Sequence, residues 1–221
     1  MKTSEELKKI HDEHRNDYPE DLNIRLRRAL SWLKKSEIEK DPDGKFIFLW
    51  ISLNCTYSTN NNDPTDSTSN NDPTDTNLRD YYLALCNKNG SNEINEIIQK
   101  DFQDEIYDII TNEYIMPSYW YGIGWSYETR KVEDKKKAFK ALDREEPLII
   151  LKMLFINLYI LRNQIFHGNA TYKGSRNRKT VCDGSNILQD LVPLFIEIMM
   201  KNPKDDWGKV NFHPDGPRTV D

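Results

Sequence analysis

Between Leu148 and Leu161 the chain reads LIILKMLFINLYIL, apolar except for Lys152 and Asn157. Pro147 stands just before it, at a favoured first-turn position, and Gly168 follows His167 as a natural left-handed terminator. A helix that is apolar nearly all round has no face for water, so it needs burial on every side. The rest of the chain must therefore wrap it. At 221 residues the chain is long enough for one sizeable domain, and a domain of this size buries roughly 70% of its extended surface without help from disulfides or metal.

The surrounding pattern is helical. Leu22, Leu26, Ala29, Leu30 and Leu33 recur at helical spacing and predict a helix over about 19–37. Arg25, Arg27, Arg28, Lys34 and Lys35 mostly fall on its solvated side. After the turn signal Pro42-Asp43-Gly44, FIFLWISLNCTY reads as buried helix, since no partner strand is nearby. Leu78–Cys86 predicts a short helix that Gly90 can stop, and Ile94, Ile97, Ile98, Phe102, Ile106, Ile109 and Ile110 predict one long amphipathic helix. YIMPSYWYGIGWSY reads as irregular structure against the core, and Lys131–Leu142 as a charged helix. Gly184-Ser185-Asn186 opens the last long helix, kinked by Pro193. The expected fold class is all-α.

Two regions stand apart. Residues 58–77 hold NNDPTD twice, at 61–66 and 70–75, with almost no apolar side chain. Such a segment cannot bury enough area to offset its ordering entropy, so it reads as a flexible insertion in a single 1–221 domain. Its aspartates lack the glycines and closing glutamate of a calcium loop. Residues 201–221 read as an irregular tail, with His213 in a Pro/Gly-rich stretch that assigns it no role.

Most chemical motifs are missing. There is no P-loop, no dinucleotide fingerprint and no nucleophile elbow. Cys55, Cys86 and Cys182 are far apart and odd in number, which fits a reducing compartment rather than a disulfide framework. His11 and His14, with Glu13, could share a metal, but a solvated charged face is the simpler reading. No metal and no cofactor is expected. The N-terminus lacks the apolar run of a signal peptide. The 148–161 stretch is shorter than the roughly 18–20 residues that span a bilayer. The reading is a soluble, cytoplasmic chain with no membrane partner.

Chemistry concentrates in LYILRNQIFHGNATYKGSRNRK. The buried helix acquires Arg162, Asn163 and His167 at its C-terminal end. Asn163 and His167 share a face, and Arg162 lies about 140° round from His167, within reach of a long side chain. The partial negative charge of a helix C-terminus favours imidazolium and suits a group that exchanges protons near neutrality. Lys173, Arg176, Arg178 and Lys179 follow, with no acidic residue before Asp183. In a chain of net charge −5, such a local basic stretch is where a polyanion such as RNA would bind. A helix-capping histidine beside a basic surface loop is the alternative.

RNQIFHG resembles the signature of HEPN-superfamily proteins: an arginine, a polar neighbour, then histidine and glycine. LRRALSWLKKSE, FIFLWISLNCTY, NEYIMPSYW, LYILRNQIFHGNATY, NRKTVCDGS and LVPLFIEIMMKNP–WG are similar to the bacterial Apea-like HEPN group. They run in order over most of 22–208, apart from the insertion. The resemblance implies a HEPN-like helical bundle, usually a homodimer, whose Arg and His residues meet across the dimer cleft and cleave RNA without metal. It places Arg162, Asn163 and His167 at the catalytic positions. Many relatives have a second glycine where this chain has Asn169, and an arginine near the position of Asn157. A sister group carries an antitoxin-modified tyrosine two residues beyond the histidine; with Asn169 there, that regulation is not expected.

The expected function is thus a metal-independent endoribonuclease working by 2′-OH attack, a toxin or phage-defence effector with an antitoxin or defence-system partner. The alternatives are a non-catalytic nucleotide- or RNA-binding dimer module and a purely structural dimer. His167 would transfer protons, Arg162 would hold phosphate oxygens, and Asn163 would orient either. Lys173, Arg176, Arg178 and Lys179 would bind RNA.

Overall fold

A computed structural model describes residues 1–58, 76–121, 126–210 and 214. The duplicated NNDPTD segments and His213 lie outside them. Among the described residues the structure is helical and contains no strand, so the all-α class holds. The helices are α1 (Ser4–His14), α2 (Glu20–Ile38), α3 (Pro42–Tyr57), α4 (Thr76–Leu85), α5 (Ser91–Glu96), α6 (Gln103–Thr111), α7 (Pro117–Tyr121), α8 (Ser126–Asp143), α9 (Pro147–Phe166) and α10 (Arg178–Lys201).

The helices α2, α3 and α10 pack side by side with α1, while α6, α8 and α9 pack against one another. Helices α4 and α5 touch both groups. The groups meet through an aromatic cluster. Tyr82 and Phe155 rings lie 4.8 Å apart, and Phe155 also packs on Trp50 and Phe195. At Gly184 of α10 the helices approach closely: a Cβ there would sit 2.9 Å from Leu158 Cδ2 and 3.3 Å from Phe46 Cε2.

Several local expectations change. Gly184-Ser185-Asn186 does not open α10; that helix starts six residues earlier, and Gly184 and Ser185 are buried inside it. Pro193 lies inside that helix, where it was expected. Gly90 does not stop α4. Its φ of −72° is helical, and the chain passes through a wide turn over Cys86–Gly90 straight into α5. What requires glycine is crowding, because a Cβ would sit 2.5 Å from the Leu85 carbonyl oxygen. The expected long helix from Ile94 to Ile110 is two, separated by a second wide turn over Ile97–Asp101 and a break at Phe102 (φ −139°). The break lets Ile94, Ile97 and Ile98 on one side, and Ile106, Ile109 and Ile110 on the other, all reach the core. The 114–127 stretch, expected to be irregular, is partly helical, since Pro117 starts α7 and Ser126 starts α8.

The helix α9 is not buried on every side. Ile150, Leu151, Leu154, Phe155, Leu158, Ile160 and Leu161 are buried, but Ile149, Lys152, Met153, Ile156 and Tyr159 are only half-buried. These last form one stripe at helical spacing. Over its 20 residues α9 is also longer than the apolar run alone, and by length and composition it could cross a membrane. Here it packs against α4, α5, α6, α7 and α8.

Arg25 is 1% exposed and not on the solvated side of α2. Its guanidinium donates to the carbonyls of Cys55 and Ser58 at the end of α3, and to those of Gly208 (3.3 Å) and Lys209 (2.8 Å). Burial lowers its pKa, and the four carbonyls supply the polar contacts that a buried cation needs. Of the tail after α10, the described residues 202–210 are pinned to the bundle: Trp207 is buried and donates to the Asn202 carbonyl, and the Val210 N–H donates to Asp21.

Gly90→Ala should lower unfolding free energy by roughly 1–3 kcal/mol in urea denaturation, the usual cost of overpacking, although alanine favours an ordinary helix. Unchanged stability would show that the Leu85–Gly90 contact is not tight in solution.

Candidate functional site

The end of α9 is built by its glycine. Gly168 has φ +72°, and around it Asn169 N–H donates to the Gln164 carbonyl (2.8 Å) and Gly168 N–H to that of Ile165 (3.3 Å). This paired closure satisfies two carbonyls that the last helical turn leaves open. His167 sits at the cap with φ −93° and ψ 12°, its N–H donating to the Asn163 carbonyl. The backbone thus holds His167 at the surface, one turn beyond Asn163. Among the described residues no hydrogen bond engages its imidazole.

Asn163 and His167 line a cleft of about 690 Å³ together with Gln164, Asn169, Arg176, Asn177 and the aromatic side chains Tyr114, Tyr119 and Trp120. An amide network fixes its walls. The Tyr114 carbonyl accepts from Gln164 Nε2 (2.9 Å) and Trp120 Nε1 (2.8 Å). Asn177 Nδ2 donates to Gln164 Oε1, and Asn112 Nδ2 donates to Asn177 Oδ1 and Thr180 Oγ1. Deeper in, the buried Asn157 donates to the Ile109 and Ile110 carbonyls at the end of α6. The most apolar helix thereby anchors the segment that carries Asn112 and Tyr114.

Arg162 lies apart from the cleft. Its guanidinium stacks 4.4 Å from the centre of the Phe166 ring and donates to Asn163 Oδ1 (2.8 Å), and its Nε is buried with no partner among the described residues. One chain therefore brings Asn163 and His167 together, with Arg162 linked to them only through Asn163.

Of the four basic positions, only Arg176 lines the cleft, with its guanidinium 5.9 Å from the Tyr114 ring centre. Arg178 pairs with Asp43, Lys179 with Asp108 (2.8 Å) and Asp183 (2.7 Å), and Lys173 with Asp41 (3.7 Å). Arg178 and Lys179 sit in the first turn of α10, where the helix dipole disfavours cations. The aspartates on α3, α6 and α10 offset that cost and tie the start of α10 to its neighbours. The sequence reading missed Tyr114, Tyr119, Trp120, Gln164 and Asn177; the aromatic run was a visible signal, assigned to packing.

Other candidate groups resolve into structure. His11 is buried rather than on a solvated face, with Nε2 3.1 Å from Asn23 Oδ1, while His14 is exposed beside Asp17. Among the described residues no cluster of three or more His, Cys, Asp or Glu side chains could hold a metal ion. All three cysteines are free, and burial pushes the Cys55 and Cys86 thiols up to about 11, which keeps both protonated at neutral pH. Comparison of the chain with protein-family models, with curated proteins and with solved structures finds no match.

A Cβ at Gly168 would meet nothing within 4 Å, so substitution there tests backbone conformation alone. Gly168→Ala should cost about 1–2 kcal/mol by thermal or chemical denaturation, and Gly168→Asn less, because asparagine tolerates the left-handed region. Equal stability of all three proteins would show that the cap is not formed.

Proposed function

We propose that the protein is a metal-independent endoribonuclease of the HEPN type, acting in the cytoplasm as a toxin or phage-defence effector. The observation that carries this reading is the pairing of His167 with Asn163, one turn apart at the end of α9, in a cleft that also holds the Arg176 guanidinium. Support also comes from the all-α architecture around α9, which is the kind of bundle the HEPN resemblance implies.

RNA supplies its own nucleophile. A base takes the 2′-OH proton, the 2′ oxygen bonds to phosphorus, the bond from phosphorus to the 5′ oxygen breaks, and an acid protonates that oxygen. The products are a 2′,3′-cyclic phosphate and a 5′-OH end. His167 moves the proton, Asn163 orients the phosphate or the imidazole, and Arg162 balances charge on the non-bridging oxygens. One histidine cannot stand on both sides of the phosphate, and Arg162 lies outside the cleft of its own chain. A second copy answers both needs. The half-buried stripe of α9 leads along the helix to Asn163 and His167, so a copy seated on it would bring the two helix ends together.

A second reading, a non-catalytic RNA- or nucleotide-binding module, is favoured by one feature. No side chain among the described residues orients the His167 imidazole, as a catalytic base normally requires.

Incubation with total RNA in excess EDTA should yield fragments ending in 2′,3′-cyclic phosphate, while DNA of the same sequence stays intact. His167→Ala should lower the rate by at least about 10²-fold. Arg162→Ala should be comparably severe, and Arg162→Lys should recover little, since lysine lacks the planar fork. Arg176→Ala should weaken RNA binding and its salt dependence more than Lys173, Arg178 or Lys179 substitutions do, because those three already face aspartates. Light scattering should give twice the 26.1 kDa chain mass. Cleavage of DNA, or full activity in His167→Ala, would sink the reading; binding without cleavage would favour the second one.

A further inference from the structure

Resting on the ribonuclease reading, we infer that Tyr119 and Trp120 form a stacking subsite for one unpaired nucleobase beside His167.

Three aromatic side chains border the cleft that holds His167. Tyr114, Tyr119 and Trp120 are 43%, 42% and 52% exposed, whereas nine other Phe, Tyr and Trp side chains among the described residues are buried. They are held in place. Trp120 Nε1 donates to the Tyr114 carbonyl, the same oxygen that accepts from Gln164 of α9, so the indole is tied to the helix that ends in His167. The Tyr119 ring meets Trp120 edge-on, with centroids 5.2 Å apart and planes at 74°, and meets Tyr114 in the same manner at 5.9 Å. In an edge-to-face contact the edge of one ring abuts a face of the other, so each contact covers at most one ring face, and a ring fixed in advance loses little entropy when a base stacks on it.

The polar groups of the cleft suit a nucleotide better than an apolar peptide side chain. Among the described residues no hydrogen bond engages the Asn169 side-chain amide, and the Asn163 amide nitrogen likewise has none; both can read the edge of a base. Arg176 lies over the Tyr114 ring and supplies the one cation lining this cleft among the described residues apart from a protonated His167. Stacking faces with a nearby guanidinium are the parts used to hold single strands, and a duplex cannot offer its base faces.

The test is fluorescence anisotropy with a short fluorescein-labelled 2′-O-methyl oligouridylate, which lacks the nucleophilic hydroxyl, alongside cleavage of the unmodified strand. The wild-type protein should bind the single strand, and its fully paired duplex should compete poorly. Trp120→Leu and Tyr119→Leu should each weaken binding by roughly 5- to 150-fold, the range for losing one stacked base. Trp120→Phe should retain most of it. An abasic site at one position should weaken wild-type binding by a similar factor and then add little to the loss in Trp120→Leu. Far-ultraviolet circular dichroism and melting of each variant serve as the folding control. Binding by Trp120→Leu and Tyr119→Leu equal to wild type, equal competition by the duplex, or no binding by the wild type would each overturn the subsite. If the strand binds through Trp120 but unmodified RNA is never cut, the ribonuclease reading alone fails. If RNA is cut at unchanged sites and rates by both leucine variants, the subsite alone fails.

Discussion

An apolar helix with only two interruptions needs more cover than one neighbour can give, and the architecture follows from that need. Five helices cover α9, and Gly184 lets α10 approach so closely that a methyl group would strike Leu158. Because α10 is seated there, its first turn reaches the aspartates of α3 and α6. The chain between the two helices is therefore short and closed, and it carries Arg176 and Asn177 to the mouth of the cleft beside His167. The site geometry is a by-product of how the core helix is packed.

The parts of the fold legible in the sequence were those set by local pattern alone. Helix α2 repeats its apolar positions at helical spacing, α3 and α9 are long apolar runs, and Pro42, Pro147 and Gly168 mark where such runs start or stop. What was not legible depended on partners far along the chain. Arg25 looks like any charged residue on an amphipathic helix, and its burial rests on four carbonyls, two of which arrive with Gly208 and Lys209. Gly184 and Gly90 look like breakers, but each answers a close contact inside a helical run. Phe102 looks like another apolar position, and its backbone divides the helix.

The candidate site was half legible. Arg162, Asn163 and His167 stand out because polar residues abruptly end an apolar run, and the structure puts Asn163 and His167 at one cleft. The separation of Arg162 from it depends on the local choice of Phe166 as a stacking partner, which spacing does not reveal. The basic stretch shows the opposite limit. Its charge is plain in the sequence, yet Asp41, Asp43, Asp108 and Asp183 meet three of its four members. Local positive charge along a chain is not the same as positive potential at a surface.

The Arg25 clamp also bears on the order in which the protein can assemble. Its partners at 208 and 209 are 183 and 184 residues away in sequence, so two of the guanidinium's acceptors are not available to a growing chain until residue 209 has been added. Until then the α2–α3 pair carries a buried-to-be cation short of acceptors, and water must stay in the space that the 207–210 segment later fills. Loop closure over such a distance is slow to find and rewarded late. Helices α2 and α3, though made early, thus acquire their final dry interface among the last contacts to form.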